Sequence, residues 1–221
     1  PVMAGIGSNS TATAIATGKR VEALGVDGVL ATAPYYNKPT QEGLFQHFRA
    51  IADAVNVDVC LYDVPGRSVV HIEPATVERL SVMENITCLK DATGDMANAI
   101  DVLRRCGDRM TLLSGDDFTT LPFLALGGSG VISVASNLVP DKMAALVSSA
   151  RDGRIVEARQ ISDALFPLFQ VLFLESNPIP VKWALSYLDR IPPGIRLPLT
   201  SLSLRHHDEV IAAMQQAGVL T

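Results

Sequence analysis

The sequence is poor in the features that mark whole classes of partner and compartment. Lysine and arginine together number 18 against 23 aspartates and glutamates, a formal charge of -5. The chain therefore has no basic field with which to neutralise phosphates or anionic lipid, and nucleic acid and membrane surfaces are poor partners. No apolar run approaches the ~20 residues needed to span a bilayer. The first residues lack a basic segment followed by an apolar one and a cleavage site, which makes the cytoplasm the default compartment. Three cysteines, Cys60, Cys88 and Cys106, are odd in number and far apart, and two of them sit inside apolar runs. They read as buried free thiols rather than a disulfide framework. His206, His207 and Glu209 are close in sequence, but adjacent helix positions diverge by about 100° and no second ligand pair is spaced to help, so no metal is expected.

What is present is apolar bulk. Of 221 residues 48% are hydrophobic and 19% charged, with a mean hydropathy of +0.26, the range of a soluble globular chain with a large core. Its apolar runs are short: VMAGIG (2–7), GVLATAP (28–34), VDVCLYDVP (57–65), ITCLKDAT (86–93), MTLLSGDD (110–117) and GVISVAS (130–136). Each ends in Gly, Pro, Asp, Ser or Thr, as buried parallel strands do. Between them, helical spacing runs over 11–24, 40–55, 74–80, 95–106 and 118–126. Thr40, Glu73-Pro74 and Asp116/Asp117 act as start signals. From 141 onward four helical segments follow with no strand between them: 141–150, 154–173, 180–188 and 205–217.

Strands joined by helices allow a doubly wound open sheet or a (β/α)8 barrel. No strand leads into a G-x-G-x-x-G turn. Polar residues stand at the C-terminal ends of several different strands: Asn9, Tyr35 and Tyr36, Tyr62 and Arg67, Lys90, Ser114 and Asp116. A barrel gathers such ends around one mouth, and the barrel is the expected fold. Six βα units can be counted where closure takes eight.

Lys90 is the residue with most chemistry to offer. Period-two alternation puts Cys88, Lys90 and Ala92 on one face and Leu89 and Asp91 on the other, which aims Lys90 into the mouth. There it either pairs with Asp91, Asp116 or Asp117, or serves as a Schiff-base nucleophile, desolvation favouring the neutral amine. A 2-oxo acid is the natural electrophile for the second reading, which is the favoured one. Tyr62 ends the preceding strand, where a phenol in reach of Lys90 can move the protons that imine formation requires. Arg67 follows a Pro-Gly turn and can grip a carboxylate from above the mouth. Tyr35 and Tyr36, in the loop APYYNKPTQEG, suggest an interface or a pocket wall. The glycines of LGGSGVIS precede their strand, so they read as a tight turn and not as a phosphate loop.

Taken in order, YYNKP, LYDVPGR, CLKDATG, LSGDD, GGSGVIS and NPIPVKW resemble the dihydrodipicolinate synthase family, within the pyruvate-dependent class I aldolase and N-acetylneuraminate lyase superfamily. The resemblance runs from Pro1 to about Leu220. It implies a (β/α)8 TIM barrel lacking its first two βα units in this chain, and with them the Thr-Thr-Gly-Glu motif of the second strand. Residues 1–150 would form a six-unit partial barrel and 151–221 a C-terminal helical extension. The resemblance implies that Lys90 carries the imine, that Tyr62 relays protons and that Tyr36 crosses a dimer to complete a neighbour's site. It assigns Arg67 to the carboxylate of the second substrate, and Gly115 and Ile132 to the pyruvate pocket. Gly7, Asn9 and Tyr35 match an inter-subunit lysine site in which Thr13 stands where an acid is usual. No cofactor is implied beyond the covalent imine, and the partners are pyruvate, L-aspartate 4-semialdehyde and further copies of the chain, as a dimer or a tetramer of dimers. The reaction implied is their condensation to 4-hydroxy-tetrahydrodipicolinate in diaminopimelate and lysine biosynthesis. The synthase form rests on Tyr62-Asp63-Val64-Pro65-Gly66-Arg67. The alternatives are a related 2-oxo acid aldolase, such as N-acetylneuraminate lyase or a 2-keto-3-deoxy sugar acid aldolase, and an inactive folded fragment.

Overall fold

The computed structural model describes residues 1–220 and divides the chain into two compact units. The first comprises Pro1–Asp116 and Leu126–Val131. It carries β1 (Met3–Gly5), α1 (Thr11–Glu22), β2 (Gly28–Thr32), α2 (Gln41–Ala52), β3 (Asp58–Asp63), α3 (Pro65–Ser68), α4 (Pro74–Leu80), β4 (Ile86–Asp91), α5 (Met96–Cys106) and β5 (Thr111–Ser114). After α6 (Thr120–Ala125), which belongs to the other unit, the chain returns for β6 (Gly130–Val131). All six strands are parallel and lie in the order β1-β2-β3-β4-β5-β6. Strictly sequential order without reversal is the order of a (β/α)8 barrel, and the fold is that barrel in part.

The local reasons were largely visible in the residues. Thr40 caps α2 by accepting from the Gly43 N–H at 3.2 Å, and Asp95 caps α5 through the N–H groups of Ala97 and Asn98. Pro74 occupies the first turn of α4, where its missing N–H costs nothing. Val29, Ala31, Val59, Leu61 and Leu89 are fully or almost fully buried, as are Leu44, Phe48 and Ile51 on one face of α2. Each large side chain so buried contributes about 1.5–3 kcal/mol relative to exposure, and this apolar contact fixes the strand register.

Two expectations shift. The helix start read at Asp116/Asp117 falls at Thr120, and the strand read over 130–136 stops at Val131. At the second of these, the Asp117 carboxylate accepts the N–H groups of Val134 and Ala135 at 3.1 and 2.9 Å. A side-chain acceptor so placed competes with the sheet ladder and curls the chain into a short 3-10 turn over Ala135–Asn137. Of the LGGSGVIS glycines, Gly127 lies in a turn at φ +109, while Gly130 opens β6.

The second unit comprises α6 and the chain from Ile132 onward: α7 (Pro140–Arg151), α8 (Ile155–Val171), α9 (Ile179–Tyr187) and α10 (His207–Gln216). Phe118 packs edge-on against Phe166 and Phe169 and tilted against Phe173, with ring centroids 5.7–6.2 Å away. Lys142 Nζ donates to the Ala217 carbonyl, fastening α7 to the end of α10. Among the described residues no helix is long and apolar enough to cross a membrane, and no cluster of His, Cys, Asp and Glu is arranged to hold a metal.

Candidate active site

The ladder between β3 and β4 contains one irregularity, and the site depends on it. Val59 pairs with Ile86, yet the next residue, Cys60, pairs with Cys88, so Thr87 is an extra residue in β4. Beyond this bulge the strands run in step: Leu61 with Leu89, Tyr62 with Lys90, Asp63 with Asp91. Were Thr87 taken up in regular pairing instead, Lys90 would stand four residues after Ile86 and lie on the face that Ile86 shares with Val59. One residue inserted in a strand flips every later side chain to the opposite face, and here it brings Lys90 onto the face of Tyr62.

On that face Lys90 Nζ lies 3.9 Å from the centroid of the Tyr62 ring, in cation–π contact. Both side chains are half-buried. Burial pushes the Tyr62 phenol above its ordinary pKa, while the positive charge of Arg67 pulls it back in part. Tyr62 is thus a protonated phenol at neutral pH, able to donate before it accepts. Arg67 sits exposed in α3, whose Pro65 start follows β3 directly. Gly115 closes the site against β5. A Cβ built there would lie 2.8 Å from Ala92 Cβ, 2.9 Å from Lys90 Cε and 3.1 Å from Lys90 Cγ. Only glycine lets the lysine chain pass. Its backbone is held by the Gly115 N–H donating to the Asp91 carbonyl at 2.6 Å, and Ser114 Oγ bridges the carbonyl and N–H of Asp116 to close the turn. These contacts also place Lys90 and Ala92 together, as alternation predicts.

Asp91 faces the other way. Its carboxylate accepts from the Thr93 N–H and hydroxyl and from Asn98 Nδ2 on α5. Asp63 occupies the matching position on β3, 2% exposed, with His71 Nδ1 at 2.6 Å and the Ile72 N–H at 3.2 Å. Burial raises the Asp63 carboxyl above its usual range against the pull of His71, and the Asp63 carboxylate raises His71 in turn. Sequence reading missed this second constellation. The shared spacing was its signal: a Tyr-Asp pair and a Lys-Asp pair end neighbouring strands.

The loop after β2 presents Tyr36. The Asn37 N–H donates to the Tyr35 carbonyl at 2.9 Å across Tyr36, which takes φ +75 and is 85% exposed. A bulky residue held at positive φ is strained by about 1–3 kcal/mol, and such strain concentrates at functional positions. Tyr35 is half-exposed beside it. Asn37 Nδ2 donates to the Asn9 carbonyl, tying this loop to the 7–10 turn. Gly7 is required there because a Cβ would meet Thr32 Oγ1 at 2.7 Å. Thr13 lies in the first turn of α1, its N–H donating to Ser10 Oγ. Ile132 follows β6 directly and belongs to the second unit.

The sequential parallel sheet, with a lysine and a tyrosine side by side at the ends of adjacent strands, places the chain among the (β/α)8-barrel proteins. More particularly, the chain belongs to the dihydrodipicolinate synthetase family, whose pattern it matches over residues 1–217. It is 51% identical over 220 residues to a 4-hydroxy-tetrahydrodipicolinate synthase of Pseudomonas aeruginosa, covering 100% of this chain and 75% of that one. The corresponding protein of Thiobacillus denitrificans is 50% identical over 220 residues, with 100% and 74% covered. Among solved structures, the chloride-inhibited dihydrodipicolinate synthase of Acinetobacter baumannii complexed with pyruvate superposes with a TM-score of 0.97 at 42% identity, over 100% of this chain and 76% of that one. The chain thus spans about three quarters of the length of these relatives.

Proposed function

We propose that this chain carries 4-hydroxy-tetrahydrodipicolinate synthase chemistry, condensing pyruvate with L-aspartate 4-semialdehyde through an imine on Lys90. The observation that carries the reading is the contact of Lys90 with Tyr62, 3.9 Å from amine to ring on neighbouring strand ends. Neutral Lys90 Nζ adds to the C2 carbonyl carbon of pyruvate, and the oxygen becomes the carbinolamine hydroxyl. Tyr62 is placed to give that oxygen a proton, so that it leaves as water and the C=N bond forms. Loss of a C3 proton makes the enamine, whose C3 attacks the aldehyde carbon of the semialdehyde. The amino group of the semialdehyde then displaces Lys90 at C2, closing the ring and freeing the enzyme amine. Overall one water is released per product.

Arg67 is assigned to the semialdehyde carboxylate. It stands exposed just beyond Tyr62, and its planar guanidinium suits bidentate recognition. Gly115 and Ile132 are assigned to the pyruvate side, and Tyr36 to the site of a second copy, for which its outward strained setting suits it. Gly7, Asn9 and Tyr35 are assigned to an effector site for lysine.

Borohydride reduction in the presence of pyruvate is the test. The reading requires a stable adduct mapped to Lys90 and absent from Lys90→Ala. No adduct on the folded chain would overturn it. Comparing aspartate semialdehyde with sugar aldehydes as acceptors for that imine separates the synthase from a sugar-acid aldolase. Arg67→Ala must depress semialdehyde turnover for the assignment of Arg67 to stand.

A further inference from the structure

Two of the three cysteines occupy the position directly behind the reactive pair. Cys60 stands two residues before Tyr62 and Cys88 two residues before Lys90, and the two are register partners on β3 and β4. Alternation therefore puts both thiols on the Tyr62–Lys90 face, one layer deeper. They are 1% and 7% exposed, and the Cys60 thiol donates to the Leu61 carbonyl at 3.5 Å. Neighbouring strands lie ~4.8 Å apart, inside the ~4.4–6.8 Å between Cα atoms that a disulfide spans. Closing a bond between them needs no strand to move far. The bulge at Thr87 that aligns Lys90 with Tyr62 is also what aligns Cys88 with Cys60.

We propose that Cys60 and Cys88 form a redox-active dithiol that closes to an inter-strand disulfide and slows imine formation at Lys90. The two thiols are unequal. The Cys60 thiol beside it lowers the Cys88 pKa, while the neighbouring Cys88 and burial raise that of Cys60. Cys88, the more exposed of the two, is thus the attacking sulfur. With hydrogen peroxide as oxidant, the Cys88 thiolate attacks one peroxide oxygen, the O–O bond breaks, and Cys88 becomes a sulfenic acid with hydroxide as leaving group. Cys60 then loses its proton and attacks Cys88 Sγ, displacing the sulfenic oxygen as water. Two thiols and one peroxide give one disulfide and two waters, a two-electron exchange. A covalent tie two residues behind both Tyr62 and Lys90 fixes the separation of their strands where the lysine must swing to meet a carbonyl. Cys106 supplies an internal control: fully buried on α5, its thiol donates to the Val102 carbonyl and stands outside this register pair.

The dithiol itself is independent of the Lys90 chemistry, and its effect on the imine rests on the reading of Lys90 given above. The test uses the whole chain treated with a few equivalents of hydrogen peroxide, then alkylated under denaturing conditions and mapped by mass. A Cys60–Cys88 linked peptide, two hydrogens lighter and reversed by dithiothreitol, with Cys106 alkylated throughout, is the expected result. Cys60→Ser should stop at a Cys88 sulfenic acid trapped by dimedone. Alkylation of both Cys60 and Cys88, or a bridge that includes Cys106, overturns the proposal. Pyruvate trapping by borohydride should then run at least about fivefold slower in the oxidised chain and recover on reduction. It should be unaffected by peroxide in Cys60→Ser. A linked peptide with unchanged trapping overturns the gating role. Failure of trapping in the reduced chain as well would sink the imine reading, with the linked peptide still supporting the dithiol.

Discussion

The two faces of the β3–β4 ladder share one backbone and are built in opposite ways. On one face, Asp63 and Asp91 are closed by donors that all come from within nine residues along the chain: His71, Ile72, Thr93 and Asn98. On the other, Cys60 meets Cys88 and Tyr62 meets Lys90 only because two distant segments lie side by side. Local hydrogen bonds to buried carboxylates rigidify strand ends, since each broken bond leaves a costly unpaired group. Cross-strand pairs of amine, phenol and thiols carry the protons and nucleophiles that chemistry uses. One face holds the geometry, and the other is the one to which the proposed chemistry is assigned.

If that division is right, substitutions on the reactive face should remove activity and leave stability nearly intact. Lys90→Ala should eliminate the pyruvate adduct and take turnover below detection, with a thermal midpoint within a few degrees of the parent. Tyr62→Phe keeps the ring beneath Nζ and deletes only the hydroxyl. Its kcat should fall about 10²–10⁴-fold while KM for pyruvate changes little, as loss of a proton relay requires. A fall in melting temperature that scaled with lost activity in both variants would show this face to be structural too, and the comparison would collapse.

Gly115→Ala tests how tightly the reactive face is fitted. The added methyl would press on Lys90 Cε and Cγ and on Ala92 Cβ, at 2.8–3.1 Å. Overpacking of this kind costs about 1–3 kcal/mol, and a lysine pushed off line should form its imine about tenfold more slowly. An unchanged trapping rate would mean the lysine chain has room to spare. The mirror experiment on the holding face is Asp91→Asn. Weakening the acceptor for Thr93 should cost about 1–3 kcal/mol in urea unfolding, with pyruvate trapping within about twofold of the parent.

The pairing of Tyr62 with Lys90 was largely legible in the sequence, because its signal is alternation plus position: each ends an apolar run. The sheet order was legible for the same reason, strands alternating with capped helices. The bulge at Thr87 was not, since Ile-Thr-Cys carries no glycine or other local mark of an extra residue, and only the pairing with β3 reveals it. The Asp63–His71 pair escaped because it joins a strand to a loop across a short helix, where no periodicity links them. The early end of β6 escaped likewise: Asp117 finds its acceptor role with Val134 and Ala135 far along the chain.

The smallest expected effect lies on the holding face, and its sign follows from linkage. His71 is drawn above its ordinary value of ~6.5 by the Asp63 carboxylate, with Asp91 and Asn98 acting in the same direction and partial burial opposing. Asp63 is likewise raised, by its burial. A group whose value is higher in the folded state stabilises most when protonated. The stabilisation from His71 is therefore complete below about pH 6.5 and is lost as pH rises through its raised folded value. Asp63, raised as well, tilts the curve the same way at its own lower starting point. His71 is 35% exposed, so solvent screening discounts the pair to about 1 kcal/mol. The unfolding free energy of the parent, read from urea titration, should decline between pH 6 and pH 9 by about that amount, and His71→Asn should flatten the decline. Pyruvate trapping by His71→Asn, measured at one pH, should stay close to the parent, because the substitution touches only the holding face. Parallel pH curves for parent and variant would remove His71 from the account. A collapse of trapping would join the two faces into a single functional unit.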